Sequence, residues 1–392
     1  MIKPERKGAA KMDTYDTAQR VLLAAAALLA CLNAASYFAA LRPRRGTTEW
    51  LARFAPVQPV ALPRPAFSPA DLCVGALALL CAACLRLVFL FFDARLHLSS
   101  EPWEALVRIL PTAAEQALLA PALYALLRGL FSRRLPAFFA AVLGVAASFD
   151  AVFPFGASGA LACLAVSLLL LLLWMTSAAR LRWLYLLGCG VLYGLAALLC
   201  FRAVYLLPLY AAAYVLTLVR RSRQEEEDFR PALSVLAVAA FGLVGGLLLW
   251  AAHLKLRGLW DGGYFEIFRS FRMYRLLGGQ IRAAVSGLFG APRLCLSHRD
   301  GFLLLFGAAA LVPLVHGAFW RKEALCRALL LLTVLLFAAW LFGGAYLLPL
   351  ALLAALCRVW SVACARGRTA FAVLGALALF ACHAAALITD LL

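Results

Sequence analysis

Two long apolar runs lie back to back in the middle of the chain and strongly constrain its fold. They extend from Trp183 to Cys200 and from Ala203 to Val219, and Arg202 is the only charged residue between them. Each run is about long enough to cross a hydrocarbon layer roughly 30 Å thick. The far ends of both runs carry arginines, namely Arg180, Arg182, Arg220, Arg221 and Arg223. Because clustered basic residues favour the cytoplasmic side, the pattern predicts a membrane hairpin with its Arg202 turn outside.

The composition of the whole chain extends this prediction to a polytopic membrane protein. Of the 392 residues, 65% are hydrophobic and 14% are charged, and the mean hydropathy is +0.91. A soluble protein of this composition would expose a largely apolar surface. The formal net charge of +18 is explained mainly by arginines at helix ends, which meet the headgroups of membrane lipids. Because no basic soluble module is present, no nucleic-acid partner is predicted.

The apolar runs predict an all-α fold with about 11–12 transmembrane helices. Residues 1–70 form an N-terminal helix and a Pro-rich connector, and residues 71–392 form a multi-span membrane domain with outer loops at 93–110 and 255–300. Basic clusters fall on one side of this arrangement, at 128–134, 180–182, 220–223, 321–322 and 366–368. The N-terminus is outside if residues 111–130 cross the membrane, and inside if they lie in its surface.

The first outer loop, 93–110, contains candidate catalytic acids. Asp93 stands at the outer end of a predicted helix, and Glu104 follows in the polar Glu-Pro-Trp-Glu turn. A carboxylate in this position can act as a general base toward an acceptor hydroxyl. The alternative is that both acids are ordinary solvated loop charges.

The second outer loop carries an unusual basic strip. Arg269, Arg272 and Arg275 recur every three residues and alternate with aromatic and apolar residues. Such a helix is typical of the membrane interface. Since arginine binds phosphate with two parallel hydrogen bonds, the strip is a candidate site for the phosphate of a polyprenyl carrier. Attraction to anionic lipid headgroups explains the same strip equally well.

Several other kinds of chemistry lack support in the sequence. No phosphate-binding loop of the G-x-x-x-x-G-K-[ST] type is present, and the five histidines show no metal-ligand spacing. No cofactor is assigned, and a divalent cation stays open as an alternative. Ionisable residues near the membrane centre are scarce, with Arg86 and Arg358 as the candidates, and an ion-coupled transporter usually needs more.

The region from Asp150 through Arg221 resembles the middle of the GT-C superfamily of polytopic membrane glycosyltransferases, which includes mannosyltransferases. The resemblance lies in an outer acid, a span, an inner basic turn, a Gly-containing span, a basic residue at the outer turn and a Pro in the returning span. The glycines of the Gly-containing span are Gly188, Gly190 and Gly194. The basic residue at the outer turn is Arg202, and the Pro of the returning span is Pro208. The segments Tyr264–Arg282 and Tyr346–Pro349 resemble the same family.

The resemblance implies a GT-C-like helical bundle and a hexosyl transfer from a polyprenyl-phosphate-linked sugar to an extracytoplasmic glycan, lipid or protein. Asp93 would match the family's base, and Arg202 would match its basic residue at the hairpin turn. The implied location is a bacterial plasma membrane, with cell-envelope glycan as product. Two alternatives stay open: a transporter or flippase for lipid-linked glycans, and a glycan polymerase or ligase.

Overall fold

The structure, a computed structural model, describes residues 5–41, 65–97, 110, 113–114, 116–147, 157–177, 182–199, 206, 209–217, 298–341 and 348–391. Every regular element in these ranges is helical, which confirms the all-α prediction. The main helices are α1 (Glu5–Leu41), α2 (Pro69–His97), α3 (Leu119–Phe131), α4 (Arg134–Ala147), α5 (Ala157–Thr176), α6 (Arg182–Leu199), α7 (His298–Phe319), α8 (Ala324–Leu341), α9 (Leu348–Ala365) and α10 (Thr369–Leu391).

Three of the described helices are long and apolar enough to cross a membrane. Their apolar segments are Arg20–Leu41 in α1, Pro69–Val88 in α2 and Gly159–Thr176 in α5. The apolar segments of the other described helices are shorter. Many large side chains on the outside of the bundle are apolar. Leu28, Leu72 and Leu80, for example, are each more than 60% exposed. Exposed leucines on this scale are consistent with an integral membrane protein.

The basic turns that the structure describes lie at one end of the bundle. Contacts at glycines give the register: Gly144 of α4 approaches Leu353 of α9, and Gly307 of α7 approaches Leu352. These contacts place the start of α4 beside the ends of α7 and α9. The turns 128–134, 321–322 and 366–368 therefore share one face, which we call the basic end. This is the arrangement that the charge pattern predicts for the cytoplasmic side.

The first helix also ends at the basic end. Arg368 Nη1, in the turn between α9 and α10, donates a hydrogen bond to the backbone carbonyl of Ala39, two residues before α1 ends. The start of α1 therefore lies at the opposite end of the bundle. Of the two orientations left open by the sequence, this geometry favours an outside N-terminus if the basic end is cytoplasmic.

Helix α3 belongs to the core of the bundle. Eight of its thirteen residues are buried, including Leu119, Leu123, Tyr124 and Leu127. A helix lying in the membrane surface would keep one broad polar face exposed to water. The alternative of a surface-lying 111–130 segment is therefore disfavoured by the packing of α3.

Two helices begin before the apolar runs of the sequence that they contain. Helix α1 starts at Glu5, although the apolar run begins only at Val21, because the intervening residues include the strong helix formers Ala, Lys, Arg and Gln. Helix α2 starts at Pro69 rather than Asp71. Proline is favoured at the first helical position, where its missing N–H has no helical partner to lose.

A buried polar contact joins α1, α9 and α10 at a point of close approach. Trp360 Nε1 donates a hydrogen bond of 2.9 Å to Asn33 Oδ1, and both side chains are buried. Gly375 of α10 lies directly against this pair, so that a Cβ atom there would stand 2.6 Å from Trp360 Nε1 and still closer to Asn33 Oδ1. Small residues at helix contacts allow such close packing in membrane proteins.

We expect Gly375→Ala to destabilise the protein by about 1–3 kcal/mol, the usual cost of overpacking. The added methyl group must displace the indole or the amide, and either shift weakens the buried hydrogen bond. Unfolding of the purified protein in detergent, followed by circular dichroism, measures this loss.

Gly75→Ala in α2 is the matched control. A Cβ at this position would meet only Tyr124 Cδ1 at 3.7 Å, an ordinary van der Waals distance. Because alanine is the better helix former, this variant should be neutral or slightly more stable. Equal destabilisation by both substitutions would contradict the packing argument.

Candidate functional site

Of the sequence-predicted site residues, only the backbone of Asp93 lies in the part of the chain that the structure describes. Asp93 lies in the last turns of α2, and its side chain is not among those described. The other predicted site residues fall outside the described ranges: Glu104, Arg202, Arg269, Arg272 and Arg275. The most extensive ion-pair sites in the described part of the chain are two buried clusters at the basic end.

The first cluster surrounds the carboxylate of Asp71, in the first turn of α2. The side chain is 4% exposed, and its Oδ1 accepts hydrogen bonds from Tyr124 Oη at 2.9 Å and from Nε of Arg128 and Arg134, both at 3.0 Å. Its Oδ2 accepts from the backbone N–H and the hydroxyl of Ser68, at 2.8 and 3.0 Å. One carboxylate therefore joins the start of α2 to the end of α3 and the start of α4.

The sequence around Asp71 explains why the carboxylate sits where it does. Ser68 precedes the first helical residue Pro69, and Asp71 follows three residues after Ser68. The Asp71 carboxylate accepts the Ser68 N–H in the manner of a capping box, and a negative charge is favourable at a helix N-terminus. Helix capping thus fixes the carboxylate at the depth where two arginines from the next hairpin reach it.

The second cluster surrounds Glu323, between α7 and α8. Its Oε2 accepts hydrogen bonds from Arg358 Nη2 of α9 and from Cys326 Sγ, the latter at 3.2 Å. Arg321 Nε lies 3.4 Å from Oε1. Both Glu323 and Arg358 are largely buried, with side chains 13% and 16% exposed. This pair joins α9 to the turn between α7 and α8.

The Glu323 cluster continues into a polar contact between α1 and α7. The Tyr37 hydroxyl and His316 Nδ1 are 3.2 Å apart, and Tyr37 is buried. The imidazole ring of His316 also lies in a T-shaped contact with the ring of Phe38 and stacks on the indole of Trp320. The last turns of α1 and α7 are therefore held together next to the Glu323 ion pair.

A further polar contact holds the α5–α6 hairpin. The buried hydroxyl of Ser167 donates to the Cys189 carbonyl at 2.8 Å and accepts from Tyr210 Oη at 3.0 Å. Tyr210 belongs to the helical segment 209–217, so this contact brings the segment against both α5 and α6. Polar side chains inside a membrane protein are commonly satisfied in this way.

Arg86 is the most deeply buried charged residue that the structure describes. It is 0% exposed and lies in the interior of α2, 15 residues after Asp71. A buried guanidinium is costly in an apolar environment and is a functional-site candidate by default. Of the two arginines that the sequence predicts within the membrane, Arg86 is fully buried, and Arg358 is largely buried and forms an ion pair with Glu323.

The chemistry of the two clusters is that of structural ion pairs. In each cluster the carboxylate has its lone pairs occupied by arginine, hydroxyl, thiol or backbone donors, which leaves it unsuited to act as a base. Among the described residues, no group of three or more His, Cys, Asp or Glu side chains could hold a metal ion. Both clusters are therefore assigned to stabilising the basic end.

We expect Asp71→Asn to destabilise the protein by about 3–5 kcal/mol, because it removes the charge that two arginines share at a buried site. Arg134→Gln should cost less than about 1 kcal/mol, since the Arg134 side chain is 47% exposed. Thermal unfolding in detergent compares the two. A loss for Arg134→Gln equal to that for Asp71→Asn would contradict the assignment of the carboxylate as the centre of the cluster.

We expect Glu323→Gln and Arg358→Met to be coupled in a double-mutant cycle. Each single substitution leaves the partner's charge buried, whereas the double substitution removes both charges. The double variant should therefore be more stable than the sum of the two single losses predicts, by about 0.5–3 kcal/mol. Additive losses in detergent unfolding would show that the ion pair contributes little.

Comparison with known proteins found no matching family model, no similar curated protein and no similar solved structure. The interpretation of the chain therefore depends on its own residues and on the geometry of its helices.

Proposed function

We propose that the chain is a membrane glycosyltransferase that moves a sugar from a polyprenyl-phosphate-linked donor to an acceptor on the extracytoplasmic face. The proposal includes a GT-C-like bundle with about 11–12 spans in a bacterial plasma membrane. One observation carries most of it: α2 is fixed at the basic end by Asp71 and carries Asp93 toward its other end.

The length of α2 supports this role for Asp93. Asp93 follows Asp71 by 22 residues in one continuous helix, a distance of about 33 Å along the axis. The hydrocarbon core of a bilayer is about 30 Å thick. If the basic end is cytoplasmic, Asp93 stands near the opposite membrane surface, where a lipid-linked donor and a polar acceptor can meet.

The helical register of α2 also supports the proposal. The buried positions of the helix recur every three or four residues, at Asp71, Gly75, Ala78, Ala82 and Arg86. Position 93 follows position 86 by one heptad, which returns to nearly the same side of a helix, within about 20°. Asp93 therefore has the register of the bundle side of α2 rather than the side of the exposed Leu72 and Leu80.

The proposed chemistry assigns a role to each predicted residue. Asp93 takes the proton of the acceptor hydroxyl as it attacks the anomeric carbon, and Glu104 is the second candidate base. Arg202 and the strip Arg269, Arg272 and Arg275 hold the carrier phosphate, which leaves with the bonding electrons. A bound divalent cation would neutralise the same phosphate, and no residue is assigned to it.

We expect Asp93→Asn to abolish sugar transfer, with a loss of about 10²–10⁴-fold for a missing general base. The assay uses detergent-solubilised protein, a panel of labelled polyprenyl-phosphate sugars, and membranes or lipid extracts as acceptors. Asp390→Asn is the matched control, because Asp390 also lies near the end of a helix that starts at the basic end. The control should retain activity.

Each result of this assay separates the candidate functions. Transfer that survives Asp93→Asn but is lost in Glu104→Gln moves the base to Glu104. Transfer that survives both substitutions and is lost in Arg202→Gln favours a polymerase or ligase that uses no carboxylate base. No turnover with any donor, in protein whose unfolding transition is intact, would contradict the proposal.

The second candidate function, a transporter or flippase for lipid-linked glycans, is favoured by the buried Arg86. A permanent charge within a helix of this apolar character is typical of a path for a polar or anionic substrate. Translocation of a fluorescent lipid-linked glycan in sealed proteoliposomes tests this alternative directly. Translocation that is lost in Arg86→Met, without any transfer activity in detergent, would replace the first proposal with the second.

A further inference from the structure

The turn between α7 and α8 exposes aromatic and basic side chains side by side. Phe319 and Trp320 are 65% and 73% exposed, and Lys322 and Arg327 are exposed next to them. Arg321, with its side chain 33% exposed, lies between the two groups. We call these five residues the aromatic–basic patch. Among the described residues, few other large apolar side chains are as exposed, and the patch stands at the basic end.

The backbone and side chains of the patch are held in place from within. The indole of Trp320 stacks on His316 at 6.0 Å and an interplanar angle of 14°, and its backbone N–H donates to the His316 carbonyl. Lys322 has a φ of 52°, which turns the chain sharply before α8. Arg327 Nε donates to the Ala318 carbonyl at 3.0 Å. The exposed aromatic surface is therefore a fixed feature of the fold.

The patch carries an uncompensated positive charge. The only acid between His316 and Arg327 is Glu323, and its carboxylate is largely buried and bonded to Arg358 and Cys326. Lys322 and Arg327 thus face outward with no exposed acid between them in the sequence, whereas Arg321 is partly exposed and lies beside the Glu323 carboxylate. Tryptophan favours the headgroup level of a bilayer, and basic residues there attract anionic lipids.

We propose that the aromatic–basic patch binds the phosphate headgroup of an anionic phospholipid in the leaflet at the basic end. The Trp320 and Phe319 rings lie at the boundary between headgroups and acyl chains, while Lys322 and Arg327 donate to the phosphate oxygens. Arg321 interacts with both the lipid headgroup and the Glu323 carboxylate. The site is independent of the proposed sugar transfer, because it lies at the opposite end of the bundle from Asp93.

The test compares nanodiscs of phosphatidylcholine alone with nanodiscs that also contain phosphatidylglycerol. The wild type should unfold at a higher temperature with phosphatidylglycerol and should retain that lipid in native mass spectra.

The variant that tests the patch carries Trp320→Ala and Lys322→Asn. Asparagine is chosen at position 322 because it tolerates a positive φ. Loss of one basic group should weaken lipid retention by about fivefold, and loss of the indole should weaken it further.

Arg133→Gln is the matched control, because Arg133 is an exposed basic residue at the basic end with Ser132 and Arg134 as neighbours. It should keep the full effect of phosphatidylglycerol. The unfolding temperature in phosphatidylcholine alone reports whether each variant folds. If the double variant does not fold, the single variant Lys322→Asn is used in its place.

Three outcomes would overturn the proposal. The first is an undiminished phosphatidylglycerol effect in a folded patch variant, and the second is an equal reduction in Arg133→Gln. The third is reproduction of the wild-type stabilisation by inorganic phosphate in phosphatidylcholine nanodiscs, which would indicate a site for free phosphate rather than for a lipid.

Discussion

A carboxylate buried among apolar helices must be matched by donors, and Asp71 is matched by donors from three directions. Tyr124 and Arg128 come from α3, Arg134 from α4, and Ser68 from the helix cap of its own chain segment. Breaking this arrangement would leave charges without partners in a low-dielectric environment. The relative positions of α2, α3 and α4 follow from this one requirement, because the helix surfaces themselves consist mainly of small and aliphatic side chains that permit several packings.

The same logic operates in the second half of the chain. Glu323 joins the α7–α8 turn to α9, and Arg368 joins the α9–α10 turn to the end of α1. Arg368, and Arg321 beside the Glu323 carboxylate, belong to the basic clusters that predict the orientation in the membrane, whereas Arg358 lies within α9. Part of the basic end therefore serves two purposes, since side chains that predict the orientation of the helices also connect them.

Much of this organisation could be predicted from the sequence, and the reasons are physical. Apolar runs bounded by arginines are long signals, so the helix α6, Arg182–Leu199, begins and ends close to the predicted run from Trp183 to Cys200. The choice of partners was not predictable, because nothing in the sequence pairs Asp71 with Arg128 and Arg134, or Glu323 with Arg358. The Ser-Pro-Ala-Asp segment, residues 68–71, does carry a local signal for a helix cap, from which the start of α2 could have been predicted. The predicted catalytic residues stay predictions, because apart from the backbone of Asp93 they lie outside the described residues.

The distribution of ion pairs bears on where the bundle can admit a substrate. Opening the helices at the basic end would break buried pairs at Asp71 and Glu323, each at a cost of about 3–5 kcal/mol. Toward the other end, Gly144 of α4 packs on Leu353 and Gly307 of α7 packs on Leu352 of α9, and these apolar contacts separate without exposing a charge. The proposed lipid-linked substrate, entering sideways from the bilayer, would therefore break fewer of these ion pairs at the end that carries Asp93. This asymmetry is compatible with the proposed site at the opposite membrane surface.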